Sequence, residues 1–252
     1  MSMSSKKLKR VFEFLKENST WNQSLQYAEY RKSLSFCGSD EERLRALLYS
    51  SLVSQSKPRL ESVAEFWKIF EAYKSIDGRP TVISLVDFFG GEKGCNLNSP
   101  FKSLFNTVKS QPGWGKKTAA LFVKNVIKIH QSSDSKLHFF KDAKRHIANI
   151  DADEVYLPVD KVISHIFESY FDLAGSSFES INNYIKSYGY RASEMIIWDD
   201  LWFWGFITQN SKDGERDTQW NGDKFWSLQF TQKDKAKEIE KLAKKFCHIL
   251  ER

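Results

Sequence analysis

Two short stretches carry residue types able to do chemistry. In Gln111-Pro112-Gly113-Trp114-Gly115-Lys116-Lys117-Thr118-Ala119, two lysines follow a Pro-Gly turn at the start of an amphipathic pattern (Ala119, Leu121, Phe122, Val126, Ile129). Pro112 stops the preceding helix, and the glycines let the backbone turn tightly. A helix starting there presents the unpaired N–H groups of its first turn beside Lys116 and Lys117, which makes a ready phosphate site. In Leu157-Pro158-Val159-Asp160-Lys161-Val162-Ile163, a carboxylate stands ahead of a helical run through Ile166, Phe167 and Tyr170, where it makes a good N-cap. Solvated lysines and simple capping are the plain alternatives for these two stretches.

The elements that must position these residues read as nearly all helical. Ser99-Pro100 supplies a capping serine and a proline at the first helical position, followed by Phe101, Leu104, Phe105 and Val108. Upstream, Val11, Phe12, Phe14 and Leu15 belong to an N-terminal helix ending near Asn18-Ser19, and Trp21 to Leu34 is a second. Gly38 to Glu42 gives a break and an acidic N-cap, and an apolar helix follows from Leu44 to Gln55. Lys57-Pro58 interrupts, and another helix carries Leu60, Val63, Ala64, Trp67, Ile69 and Phe70. Thr81 to Phe89 fits helix or strand, and Gly90 to Gly94 reads as a loop. The polar segment from His130 to Glu154 holds Leu137, Phe140, Ala143 and Ile147 at helical spacing. Beyond Asp160, helices are expected to about Leu173, near Phe178–Tyr188 and from Met195 to Phe206. Ser211 to Gly214 reads as a loop, and a surface helix with an Ile239, Leu242, Phe246, Ile249 stripe closes the chain. His146 and His165 have no partner motif and read as structural.

At 252 residues the chain is long enough for a sizeable core, as one compact unit or two close lobes. A net charge of +6 and a pI of about 9.0 suit a polyanionic partner. Eight tryptophans exceed what a core needs, and the surplus suits stacking on bases. Cys37, Cys95 and Cys247 are too scattered for a disulfide framework or a zinc site. No apolar run is long enough to span a bilayer and no signal peptide is visible, so an intracellular soluble protein is expected.

The Gly-Lys turn looks like a helix–hairpin–helix, the module that grips a DNA backbone without reading bases. With Pro158-Val159-Asp160 following in the correct order, the chain resembles the helix–hairpin–helix base-excision glycosylases. The resemblance places Lys117 at the nucleophile position and Asp160 at the essential carboxylate. Leu52-Val53-Ser54-Gln55 looks like the segment that inserts a polar side chain into the duplex. Trp114 departs from the usual Val or Ile, and the iron–sulfur cysteine run of the endonuclease III branch is absent. The long gap between Lys117 and Asp160 is most similar to the archaeal-type 8-oxoguanine DNA glycosylases, as are Arg43-Leu44 through Phe66-Trp67, Leu201 to Gly205, and Gln26-Tyr27. That likeness implies an all-α fold of two helical lobes with the active-site cleft between them. The middle lobe spans 41–154, with the hairpin motif at about 99–131, and the second combines 1–40 with 155–252.

The implied activity is that of a bifunctional DNA glycosylase and AP lyase of base excision repair, removing an oxidised purine such as 8-oxoguanine from double-stranded DNA. Oxidised-pyrimidine specificity and non-catalytic DNA binding are the alternatives. A flipped nucleotide costs a few kcal/mol of unstacking. Gly113, Gly115 and Lys116 are expected to hold phosphates, and Gln55 to fill the vacated stack; Gln26, Trp67, Trp202 and Leu121 fall to the base pocket. Lys117 must attack as the neutral amine, a form that a helix N-terminus and a neighbouring cation favour, while Asp160 stabilises an oxocarbenium-like transition state. A Schiff base and β-elimination follow, requiring no metal or organic cofactor. A monomer is expected.

Overall fold

The computed structural model describes residues 3–55, 57–90, 94–212, 215–228 and 233–252. The helices are, in chain order, α1 (Met3–Glu17), α2 (Ser19–Leu34), α3 (Asp40–Val53), α4 (Leu60–Phe70), α5 (Val82–Gly90), α6 (Pro100–Lys109) and α7 (Lys116–Gln131). They continue with α8 (Ala143–Ile147), α9 (Lys161–Tyr170), α10 (Phe178–Ser187), α11 (Ala192–Trp198), α12 (Asp200–Ile207), α13 (Gly222–Ser227) and α14 (Ala236–Glu251). Strands β1 (Gln209–Lys212) and β2 (Glu215–Thr218) pair antiparallel, Gln209 opposite Thr218. The fold is therefore mostly helical. Two compact units share the chain: residues 29–158 with 191–196, and residues 1–28 with 159–190 and 197–252. Among the described residues no helix is long and apolar enough to cross a membrane.

In the unit of residues 29–158, α7 packs against α3, α6 and α8. From Thr118 to His130 every residue of α7 but Leu121 is buried, including Lys124 and Lys128. The helix starts around it are satisfied by local caps and by carboxylates borrowed from farther along the chain. Ser39 caps α3 by accepting from Glu42 N at 3.2 Å, so the acidic residues of that first turn follow the cap rather than form it. Thr81 begins α5 with a reciprocal bond to Ser84, which settles the ambiguous segment as helix, and Asp142 accepts from Val82 N at 2.8 Å. Pro100 occupies the first turn of α6 as expected, but Ser99 makes no capping bond. The Asp153 carboxylate accepts from Phe101 N at 2.7 Å and Lys102 N at 3.2 Å instead. Burial holds the Asp153 carboxyl above its ordinary range against those three backbone donors, Glu154 N among them.

That borrowing explains why residues 130–154 are not the continuous helical pattern their spacing suggests. Only α8 and short 3₁₀ turns form there. The Asp142 and Asp153 side chains of the segment accept from the first amides of α5 and α6, which ties its path to those helix starts. Of the Gly90–Gly94 loop, residues 91–93 lie outside the described residues.

In the other unit, Phe14 of α1 meets Trp204 of α12 edge-on at 5.0 Å and Phe246 of α14 at 5.4 Å. This contact sets the buried face of α14, which is Ile239, Ala243, Phe246, Cys247 and Leu250. Leu242 and Ile249, expected in the stripe, are only half-buried. The aromatic run from Met195 to Phe206 is not one helix. It is pinched at Asp199, where Trp202 N bonds to Asp199 O at 3.1 Å in a tighter turn. Of the expected loop Ser211–Gly214, Ser211 and Lys212 belong to strand β1 of the β1–β2 hairpin, and Asp213-Gly214 lies outside the described residues. An Asp-Gly pair is a hairpin signal. It passes unnoticed because the flanking Gln-Asn-Ser-Lys and Glu-Arg-Asp-Thr have no apolar alternation.

Helices α9 and α12 touch backbone to side chain at Gly205. A Cβ there would lie 2.7 Å from Val162 Cγ1 and 2.8 Å from Ile166 Cδ1, closer than packed carbons approach. Gly205→Ala is expected to destabilise the protein by about 1–3 kcal/mol, as overpacked sites do. An unchanged urea midpoint would show that α9 yields freely.

Candidate functional site

The Lys117 end of α7 is built from the turn upward. Helix α6 stops at Lys109, and Gln111 Nε2 donates to Thr107 O at 3.0 Å, taking up a carbonyl at that end. Gly113 then adopts φ +79°, the left-handed region that side chains avoid. A Cβ on it would reach ordinary contact with Ser62 and Leu52, about 3.4–3.5 Å away, so the backbone angle is what calls for glycine. Trp114 drops its ring into an aromatic cluster, 5.4 Å from Phe66 and 5.8 Å from Phe122. Gly115 holds the N-cap position of α7 in extended conformation and, lacking a side chain, offers no cap of its own. Gly115 and Lys116 are exposed, Lys117 half-buried.

Gln55 joins this turn directly. Its Nε2 donates to Leu52 O at 3.0 Å and to Gly113 O at 2.9 Å, so the side chain ties the end of α3 to the glycine that makes the turn. Leu121 stands one helical turn past Lys117 and is the half-buried residue of that face. Trp67 is half-buried beside Phe66 at 5.2 Å and Tyr49 at 6.4 Å. Through Phe66 it belongs to the same cluster as Trp114.

Asp160 lies in the other unit, at the N-cap of α9. Its Oδ1 accepts from Val162 N at 2.9 Å and Ile163 N at 3.0 Å. A carboxylate so held is fixed in direction, with Oδ2 outside those two bonds.

Gln26 is held at the start of α12, the helix that carries Trp202. Gln26 Nε2 donates to Asp199 Oδ2 at 2.9 Å, and one turn earlier on α2 Asn22 Nδ2 donates to Asp200 Oδ1 at 2.6 Å. Both carboxylates are buried, whereas the acceptor oxygens Asn22 Oδ1 and Gln26 Oε1 are buried without a partner among the described residues. Trp202 is half-buried and stacks on Phe206 at 5.3 Å with 16° between the planes. No family model, curated protein or solved structure matches the chain.

Two features of this unit were not anticipated from sequence. The adjacent Asp199 and Asp200 interrupt an otherwise apolar helix, and a charged pair in such a run is itself the signal that would have found them. Gln209 is fully buried: its Nε2 donates to Val162 O at 2.9 Å and its Oε1 accepts from Arg216 at 2.9 Å. Its backbone carbonyl accepts from Lys224, whose ammonium lies 5.1 Å from the Phe206 ring. Burial and then Arg216 push the Lys224 amine below its ordinary range. Gln209 thereby fastens the first turn of α9, which Asp160 caps, to the hairpin. Nothing local in the sequence marks it.

Proposed function

We propose that the protein is a bifunctional DNA glycosylase and AP lyase of base excision repair, acting on an oxidised purine, 8-oxoguanine, in double-stranded DNA. The observation that carries this reading is the start of α7. A left-handed glycine and an N-cap without a side chain leave a helix N-terminus open, with Lys116 exposed and Lys117 second in the helix. That arrangement suits a phosphate at the turn and an amine close to it. The α6–turn–α7 segment serves as the helix–hairpin–helix, and Asp160 as the electrostatic partner of the reaction.

The chemistry follows from those groups. The neutral Lys117 Nζ bonds to C1′ as the C1′–N9 bond breaks, and the base leaves with the bonding electrons. Loss of a proton from nitrogen and opening of the sugar ring give an iminium. Removal of a C2′ proton then expels the 3′ phosphate, nicking the strand. An oxocarbenium-like transition state is stabilised by a nearby carboxylate, the role given to Asp160.

The test is incubation with duplexes carrying single defined lesions in the presence of borohydride, which reduces the iminium to a permanent cross-link. Cross-linking to an 8-oxoguanine duplex is expected. Duplex binding with no cross-link to any lesion would instead favour a non-catalytic DNA-binding protein, and cross-linking only to thymine glycol an oxidised-pyrimidine enzyme.

Trp202 gives a second measurement. Stacking on an aromatic side chain is worth roughly 1–3 kcal/mol per base. Trp202→Ala is expected to slow single-turnover excision of 8-oxoguanine by about tenfold or more, and nicking at a preformed abasic site much less. Equal losses on both substrates, in a variant that melts like the parent, would remove Trp202 from the base pocket.

A further inference from the structure

We propose that the cavity at the C-terminal end of α7, lined by Arg79, Lys141, Lys144, His130 and His138, is a second anion site that binds a phosphate group. It lies entirely within the unit of residues 29–158 and does not rest on the glycosylase reading. Lys117 and His130 stand at opposite ends of α7, roughly 20 Å apart at about 1.5 Å per residue, so the site is separate from the turn.

The charge inventory favours an anion. Three cations, Arg79, Lys141 and Lys144, line the cavity, and among the described residues none of them makes an ion pair. Asp40, the carboxylate that also faces it, is paired with Arg43 at 2.8 Å, and the nearby Asp134 is paired with Arg31 at 3.2 Å. The C-terminus of α7 adds about half a negative charge, which three full positive charges outweigh.

The wall is built rather than incidental. His130 is buried, and its Nε2 accepts from Phe140 N at 3.2 Å and Phe139 N at 3.4 Å. With Nε2 committed as an acceptor, a neutral ring carries its proton on Nδ1 and is a donor there. Burial, then His138 and Lys144, hold His130 neutral down to about 3. His138 stacks on it at 5.0 Å, and Lys141 N donates to Pro80 O at 3.0 Å, which fixes the Arg79 strand of chain against the Lys141 side. The cavity volume is about 290 Å³, at the small end of the roughly 300–1,000 Å³ of ligand sites. A phosphate or phosphate ester fits that size and charge; a dinucleotide cofactor does not.

The experiment is a titration of the full-length protein with inorganic phosphate at constant ionic strength, followed on the histidine ring resonances by NMR. Saturable shifts of His130 and His138 are expected, weakened about tenfold or more in the double variant Arg79→Gln/Lys144→Gln. The charge-matched control Lys237→Gln/Lys241→Gln, on exposed α14 positions, should match the parent. Because Arg79 and Lys144 are exposed, the double variant should melt like the parent. No saturable shift, or equal affinity in the double variant, would overturn the proposal. Binding of an undamaged duplex identifies the source of the phosphate. A weaker duplex complex with a salt slope lower by about 1–2 means a nucleic-acid backbone; unchanged duplex affinity means a free phosphate or monoester. A parent protein that binds phosphate but no duplex would sink the glycosylase reading and leave this site standing.

Discussion

Lys117→Gln is expected to abolish both strand nicking and borohydride cross-linking, with duplex affinity within about threefold of the parent. The side chain is the second of α7 and half-buried, while the amides of that helix start belong to the backbone, which the substitution leaves in place. Glutamine has nearly the helix propensity of lysine, so the first turn should persist. The decisive comparison is with Lys116→Gln, one position earlier and exposed. Cross-linking that survives in Lys117→Gln and vanishes in Lys116→Gln would make Lys116 the nucleophile instead. Loss in both would point to the helix start as a whole.

Asp160→Asn should separate capping from catalysis. Asparagine caps a helix about as well as aspartate, so the bonds to Val162 N and Ile163 N can be kept and melting should be nearly unchanged. The negative charge is lost, and base removal is expected to slow by about a hundred- to a thousandfold, the scale of other lost transition-state stabilisers. Asp160→Ala should lose the cap as well, at about 1 kcal/mol or a few degrees of melting temperature. Parent-like turnover in Asp160→Asn would reduce the residue to a cap.

The features legible in the sequence were those decided within a few residues. Pro100 at a helix start, the Gly113 turn and the Asp160 cap are all set by the residue's own backbone preference or a side chain's reach of two or three positions. Features decided by partners far along the chain were not. Gln55 finds Gly113 across 58 positions, and Gln26 finds Asp199 across 173. Helix α14 buries Ile239 and Phe246 of the expected stripe but Ala243 and Leu250 in place of Leu242 and Ile249, because Phe14 and Trp204 select which side chains are covered. The hairpin escaped notice because its strands are polar throughout, and a period-2 reading needs apolar residues to register.

The borrowed caps have a consequence for how the chain folds. Asp142 serves the start of α5 from 60 positions away, and Asp153 the start of α6 from 52. Until residues 142–153 dock, α6 has neither a side-chain cap from Ser99 nor any other described group on Phe101 N and Lys102 N. The two helices that lead into the Gly113 turn are therefore completed by chain that follows it. Contacts of such sequence separation delay folding, because the loop between them must close before they are gained. Nascent chain ending near Gln131 should show frayed α5 and α6 starts in hydrogen exchange, and the same amides should become protected together once Asp153 is present. The helix start that bears Lys117 then forms on a scaffold locked late and from behind.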